Sequence, residues 1–242
     1  MPGYLTKQES IAVAGVPDIT IRSLLDRQQY ADPTGAAVRM GISSAAWPLF
    51  GLLWPSGAEL AARLALHPVV LGERILEIGC GLGLSSLVGH RRGADVTASD
   101  CHPLAASFLA ENLRLNGLSA MKYRLGHWGG QDCSSAQSLS KRLGPFPDDG
   151  SVPVSGYFDL IVGSDVLYER DEQGALANYI NSHAAPQAQV WIVDPHRGNR
   201  PAFSRHMISF GFDMVEERLD RVATLVREAY RGRLLRYWRT HP

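Results

Sequence analysis

The sequence predicts an α/β fold: a mostly parallel sheet, covered by helices on both faces, that ends in an antiparallel pair of strands. Three observations predict it. From Arg74 onward, short apolar runs alternate with segments of helical period. A glycine-rich turn, Glu77-Ile78-Gly79-Cys80-Gly81-Leu82-Gly83, joins the first of these runs to the first of these segments. Two strand-like runs, Phe212 to Leu219 and Leu234 to Trp238, close the chain with a connection containing Arg227 to Gly232 between them.

Taken in order, Ile11 to Leu25 alternates apolar and polar residues around a Pro-Asp turn, which predicts a short hairpin. Ala31 to Gly57 is rich in Gly, Pro, Ser and Trp and reads as irregular. Ser56 is placed to cap a helix over Ala58 to Leu66. Strands are expected at Arg74 to Ile78, Asp95 to Ser99, Met121 to Leu125, Tyr157 to Gly163 and Gln189 to Asp194. Helices are expected at Leu84 to Arg92, Leu104 to Asn116 and Glu172 to His183, the second closed by Gly117. Gly129 to Gly156 interrupts the alternation and reads as an elaborated loop. The organisation expected is an N-terminal hairpin and irregular extension over 1–57, packed on a main domain over 58–242.

Composition narrows the function classes. In 242 residues, 24 Lys and Arg balance 24 Asp and Glu, so no basic excess argues for nucleic acid. Three cysteines, Cys80, Cys101 and Cys133, lack C-x-x-C spacing and suit a reducing compartment, with the cytoplasm as the expectation. The segment MPGYLTKQES has no signal-peptide pattern, and no apolar run reaches the roughly 18 residues of a membrane span. No His or Cys cluster has metal-ligand spacing, and no Gly-x-Ser-x-Gly elbow offers a serine nucleophile.

The chemistry concentrates at two places. Gly79, Gly81 and Gly83 let the backbone turn sharply and approach a ligand, as at a nucleotide site. A dinucleotide fingerprint would place its third glycine one position later, and a carboxylate such as Glu77 would repel a pyrophosphate. S-Adenosyl-L-methionine has no phosphate and carries an amino group and a sulfonium, both of which an acidic mouth favours. Asp100, about twenty residues on, is placed to accept hydrogen bonds from the ribose hydroxyls. Cys80 belongs to the same loop. Trp128 is placed to stack on adenine and Trp54 to close over the cofactor, with core or lid packing as the alternative for each ring.

The second place is the end of the strand Tyr157 to Gly163, where Ser164, Asp165 and Tyr168 emerge at a carboxyl end. Methyl transfer is an in-line displacement in which the enzyme mainly positions a lone pair and desolvates the encounter. For a lysine acceptor, deprotonation at pH 7 costs roughly 4.6 kcal/mol from a reference pKa of about 10.4. Asp165 and Tyr168 can orient the amine and take its proton, or Asp165 can serve only to hold its loop. Asp194-Pro195-His196-Arg197 lies at the next carboxyl end, where His196 is a candidate proton acceptor and Arg197 a candidate carboxylate clamp, with helix capping as the alternative.

These residues resemble the seven-β-strand, class I S-adenosylmethionine-dependent methyltransferases, within them the protein-lysine group that includes the enzymes acting on chaperones and on the electron-transfer flavoprotein β subunit. The resemblance spans roughly Trp47 to Gly211. It rests on Leu53-Trp54-Pro55-Ser56-Gly57, the Glu77 to Gly83 loop, Asn112-Leu113-Arg114-Leu115-Asn116-Gly117, His127-Trp128-Gly129 and Asp165-Val166-Leu167-Tyr168, a D-x-x-Y pattern. Asp194-Pro195, with the following arginine and Pro201-Ala202-Phe203, is similar to the flavoprotein-directed branch. The resemblance implies a Rossmann-like sheet of seven strands. It also implies cofactor contacts by Trp54, Gly79, Gly81, Asp100, Trp128 and Ser164, acceptor-side work by Asp165 and Tyr168, and a protein lysine as acceptor. Small-molecule N-methylation, a non-catalytic cofactor-binding module and a NAD-dependent oxidoreductase are the competing readings. The last is disfavoured by Glu77 and the glycine spacing.

Overall fold

A computed structural model describes residues 3–128, 152–223 and 229–239. The chain opens with a hairpin, β1 (Thr6–Ile11) and β2 (Ile19–Leu24), paired antiparallel. The expected hairpin is present, with its first strand ending where the alternation had suggested it would begin. A short helix, α1 (Ala36–Arg39), and a 3₁₀ segment (Trp47–Gly51) follow within the stretch read as irregular. Helix α2 (Pro55–Leu66) starts three residues earlier than expected. Pro55 fits its first turn because an N–H there would have no helical partner.

The strand and helix alternation then runs β3 (Arg74–Ile78), α3 (Leu84–Arg91), β4 (Asp95–Asp100), α4 (Ala105–Leu115), β5 (Lys122–Leu125), β6 (Phe158–Ser164), α5 (Ala175–His183), β7 (Ala184–Asp194), α6 (Arg200–Ser209), β8 (Asp213–Arg218) and β9 (Arg233–Trp238). Strand β7 begins five residues before the expected Gln189, as β6 and β7 shift register between Phe158 and Leu160. Helix α6 had no counterpart in the sequence reading. Much of the elaborated loop, residues 129–151, lies outside the described residues.

Seven strands form one sheet in the order β5-β4-β3-β6-β7-β9-β8. Strands β3 to β7 pair in parallel, and β9 runs antiparallel to both β7 and β8. Strand order reverses between β3 and β6, so the loops that leave these two carboxyl ends diverge and open a crevice.

The period of two along each strand sorts side chains between the faces. Ile75, Leu160, Val162, Trp191 and Val193 meet Leu60 and Leu64 of α2. Leu76, Ile78, Ile161, Val190 and Ile192 meet Leu176 and Ile180 of α5 and Phe203 and Met207 of α6. Full burial of each such side chain stabilises by about 1.5–3 kcal/mol. The N-terminal hairpin is fixed to α4 by polar contacts: Asn112 Oδ1 accepts from the Arg22 N–H at 2.7 Å, and Asn116 Oδ1 from the Thr20 N–H at 2.9 Å. Trp47 and Phe50 of the 3₁₀ segment pack with Phe108 of α4 in the same core cluster. The extension is thereby joined to the helix that follows the glycine loop's neighbouring strand, and it covers that end of the sheet. No described helix is long and apolar enough to cross a membrane.

Candidate active site

The glycine loop leaves β3 and turns into α3. Gly81 adopts φ +51°, and a Cβ there would lie 2.7 Å from the carbonyl oxygen of Phe50, so only glycine fits beneath the 3₁₀ segment. Gly79, at φ +58°, faces the other way. A Cβ on it would come within 3.0 Å of Val166 and 3.3 Å of the Trp128 ring. The loop is therefore a bare-backbone cradle between the two sides of the crevice. Gly83 caps α3 in the left-handed conformation, and Cys80 is buried, with its N–H on the Ser99 carbonyl at 2.9 Å.

Asp100 ends β4 beside this cradle. Its Oδ2 accepts from the Gly81 N–H and its Oδ1 from the His102 N–H, each at 2.8 Å. Burial raises its carboxyl pKa, and these backbone donors oppose the rise. Each oxygen keeps a further lone pair, so one carboxylate both shapes the loop and remains able to accept from a ligand hydroxyl. His102 stacks on Phe50 with centroids 3.6 Å apart, and burial pushes its pKa down to about 3, which keeps the imidazole neutral.

Glu77 corrects the expectation of an acidic mouth. It is 3% exposed and turned under α3, where Oε2 accepts from both the N–H and the hydroxyl of Ser86. Burial pushes its pKa up to about 7, with the Ser86 bonds opposing. Glu77 thus acts on the loop from below, by holding the first turn of α3 at a helix N-terminus.

Trp54 is the residue before α2, and its indole N–H donates to the Leu49 carbonyl at 2.9 Å while the Arg27 guanidinium lies 4.9 Å above its ring. Trp128 follows β5, packs near Tyr179 and borders Gly79. Ser164 closes β6, close enough to the first turn of α2 that a Cβ on Gly57 would be 3.6 Å from its hydroxyl. Gly79, Trp128 and Ser164 come together at the switch point. Trp54 is tied instead to the 3₁₀ segment that roofs the loop.

Across the crevice, Asp165 takes φ +59°, a left-handed conformation that is strained for any residue with a Cβ. The surrounding structure enforces it. The Asp165 N–H donates to the Val193 carbonyl at 3.0 Å, and Arg197 reaches both the Asp165 carbonyl oxygen, at 3.0 Å, and Oδ1, at 2.8 Å. Asn199 donates to the Leu167 and Glu169 carbonyls, each at 2.9 Å, and so fixes the segment that carries Tyr168.

Arg197 also donates its N–H to Asp194 Oδ2 at 2.7 Å, and its guanidinium lies 3.9 Å from Asp194 Oδ1. The expected substrate clamp is accordingly occupied by the chain's own carboxylates. His196 is exposed, with Nδ1 at 3.4 Å from the Arg233 guanidinium, away from Asp165's bonds. A buried carboxylate, Asp194, and a partly buried one, Asp165, thus share one arginine. Asp165 Oδ2 and Asp194 Oδ1 have no hydrogen-bond partner among the described residues. Burial raises the pKa of both; Ser56 and Arg197 draw Asp165 back, while Asp194 adds to its rise. Tyr168 is half exposed, and burial of its hydroxyl pushes its pKa up.

Sequence reasoning misread one participant, Ser56, and missed two, Asn199 and Tyr230. Ser56 does not cap α2; its hydroxyl shares a 2.9 Å hydrogen bond with Tyr230, and both residues are buried. Asn199 was legible as a cap-type residue ahead of Pro201, which would also have announced α6. Tyr230 lies in the connection between the last two strands, where no periodicity singled it out.

Seven strands in this order, with one reversed, and a glycine cradle facing a D-x-x-Y loop across the switch point decide the architecture. The chain is a class I, seven-β-strand methyltransferase. No family model matches it. It is 28% identical over 86% of its length to the electron transfer flavoprotein beta subunit lysine methyltransferase of Mus musculus, covering 72% of that protein. It is 30% identical over 70% of its length to a protein N-terminal and lysine N-methyltransferase of Yarrowia lipolytica, covering 64% of it. To a histone-arginine methyltransferase of Rattus norvegicus it is 31% identical, over 66% of each chain. Among solved structures, a magnesium protoporphyrin IX methyltransferase from Synechocystis PCC 6803 with bound SAM superposes with a TM-score of 0.53 at 18% identity, over 76% of this chain and 78% of that one. A 16S rRNA methyltransferase of T. thermophilus in complex with AdoMet and guanosine gives 0.56 at 17% identity, over 98% of this chain and 51% of that one. At such identities these likenesses speak for the fold.

Proposed function

We propose that this methyltransferase uses S-adenosyl-L-methionine to methylate the side-chain amine of a lysine on a protein substrate. The observation that carries the reading is the acceptor side's charge: Asp194, buried, and Asp165, partly buried, face Arg197 and leave one oxygen each without a hydrogen-bond partner among the described residues. A buried site with a surplus of carboxylate favours a cationic head group and disfavours an anionic one.

The cradle suits the donor because Gly79, Gly81 and Gly83, all at positive φ, hold the tight turn at the carboxyl end of β3, and because Asp100 beside it retains acceptor capacity for hydroxyls. When bound, S-adenosyl-L-methionine supplies an electrophilic methyl group. Asp100 and the glycine backbone bind it, with Trp128 and Ser164 at the border of the acceptor side. Asp165 Oδ2 accepts a hydrogen bond from the lysine ammonium and then its proton, which its raised pKa favours. Val166 and Leu167, both buried, help to exclude water from the encounter. Tyr168, half exposed on the rim, orients an acceptor that enters from outside.

That open rim, together with the relatives named for protein substrates, favours a protruding side chain over an enclosed small molecule. An arginine acceptor is the second reading, supported by the relative named for histone arginine. The free, buried thiol of Cys80 suits a reducing compartment such as the cytoplasm.

Incubating the chain with methyl-labelled S-adenosyl-L-methionine and a cell lysate, followed by mass spectrometry, tests the reading. Label on lysine side chains is expected. Label confined to small molecules would sink the protein-lysine proposal, and label on arginine would select the second reading.

A further inference from the structure

We propose that four arginines beside the acceptor site, Arg200, Arg218, Arg231 and Arg233, form an anion subsite that holds a carboxylate side chain of the protein substrate, near the acceptor lysine in that chain. The proposal rests on the reading of the acceptor as a protein lysine.

The register of the last strands places these residues together. Arg233 opens β9 opposite Asp194 of β7 and opposite Arg218 of β8. The β8–β9 ladder continues in the same register beyond both strands: the Leu219 N–H donates to the Gly232 carbonyl at 3.0 Å, and Arg221 and Tyr230 exchange both backbone bonds. By the period of two, Arg231 leaves the same face as Arg233, and Asp220 the same face as Arg218 and Glu216. Arg200 opens α6 and reaches this face, with Nε 3.4 Å from one oxygen of Glu216, while Arg233 lies 3.2 Å from the other. Arg218 pairs with Asp220 at 2.6 Å and stays largely exposed. Arg231 is exposed and has no ion pair among the described residues.

Four guanidiniums therefore meet two carboxylates on one face of the sheet's edge. Like charges directly opposite each other across two strands, as Arg218 and Arg233 are, destabilise the pairing, and an added anion relieves that cost.

His196 joins this cluster to the acceptor site. It lies on the loop between Asp194 and Arg197, at φ +66°, and its Nδ1 is approached by Arg233 Nε at 3.4 Å and by the Arg200 guanidinium at 3.5 Å. Both contacts are long for hydrogen bonds, so two cations converge on a point where neither is well satisfied. A guanidinium carries five donors in a planar fork that matches a carboxylate. One loop thus divides two signs. Asp194, with Asp165, presents surplus negative charge to an ammonium, and His196 turns outward into surplus positive charge. A lysine with an acidic neighbour fills both, and a lysine in a basic stretch is repelled at the rim.

The first test observes the imidazole signals of His196 by NMR in the full chain, assigned by their loss in His196→Gln. The probe is a lysine-free peptide of alternating glycine and glutamate, set against its glutamine analogue and against inorganic phosphate. The glutamate peptide should move the His196 signals and the glutamine peptide should not. Half-saturation should need about 10-fold more peptide in Arg233→Gln and a few-fold more in Arg231→Gln, a substitution at an exposed residue that the fold tolerates. No movement, equal movement with both peptides, movement with phosphate alone, or the same half-saturation in both variants overturns the subsite. The second test measures methyl transfer to lysine peptides carrying glutamate or glutamine one to four residues from the lysine. Glutamate should lower KM about 10-fold at its best position, with kcat little changed, and Arg231→Gln should shrink that advantage. Equal KM values for the two series would overturn the link to the acceptor. The NMR titration involves no transfer, so it judges the anion subsite even where no lysine peptide is methylated and the lysine reading itself fails.

Discussion

On the glycine-loop side of the crevice, Asp100 spends an oxygen on each of two backbone N–H groups, and Glu77 holds the N–H and hydroxyl of Ser86. On the other side, Asp165 and Asp194 share Arg197 and leave an oxygen each without a hydrogen-bond partner among the described residues. The contrast separates two tasks. Carboxylates bonded to backbone hold a shape, and a ligand meets a loop already formed. Carboxylates short of partners hold a charge, and a cationic acceptor completes them. Preorganisation serves binding on one side, and unsatisfied electrostatics serves selection on the other.

The strongest way to break this division is at Gly81. In Gly81→Ala the new Cβ must displace the Phe50 carbonyl and tolerate φ +51°. Affinity for S-adenosyl-L-methionine, measured by calorimetry, should fall about 1,000-fold, equal to about 4 kcal/mol. An unchanged affinity would mean that the loop is no cradle. Next comes Arg197→Met, which strips both acceptor-side carboxylates of their counter-charge and should destabilise the chain by about 3 kcal/mol near pH 8. Urea melts should show the deficit shrinking toward pH 5. Asp165 and Asp194 have raised folded pKa values, so their protonated forms are favoured at low pH and the repulsion appears as pH rises. A deficit independent of pH would show that the carboxylates do not share the arginine's charge.

The smallest expected effect concerns Glu77. Its folded pKa of about 7 lies above the ordinary 4.5, so its contribution to stability is full below the ordinary value and is lost as pH rises through about 7. Compared with Glu77→Gln, the unaltered chain should lose about 2 kcal/mol between roughly pH 5.5 and pH 7.5. Parallel stability curves would place Glu77 in a wetter setting than the one described.

The sheet was legible because period-two apolar runs and the glycine turn are strong local signals, and β3, α3 and β4 fall within a residue of their expected bounds. Helix α6 was not, because it buries only Phe203, Ser204 and Met207 and carries a polar face around them. The inward turn of Glu77 was available in principle: along β3 it shares the Ile75 face, which lies under helices and not at the mouth. Ser56 reads as a cap when only its position before a helical pattern is known, and its partner comes from the far end of the chain. Similarly, Arg197 reads as a clamp for a substrate until the fold places Asp165 and Asp194 against it. Local chemistry was visible in the sequence, and long-range pairing of polar groups was not.

The most direct test of the division pairs Asp100→Ala with Asp165→Asn, measuring S-adenosyl-L-methionine affinity by calorimetry and methyl transfer in a single turnover on the labelled acceptor. Asp100→Ala should lose cofactor affinity by about 100-fold or more. Asp165→Asn should bind the cofactor as the unaltered chain does and lose transfer by about 100-fold or more. The reverse pattern, with binding lost at Asp165 and transfer alone lost at Asp100, would contradict the assignment of the two sides.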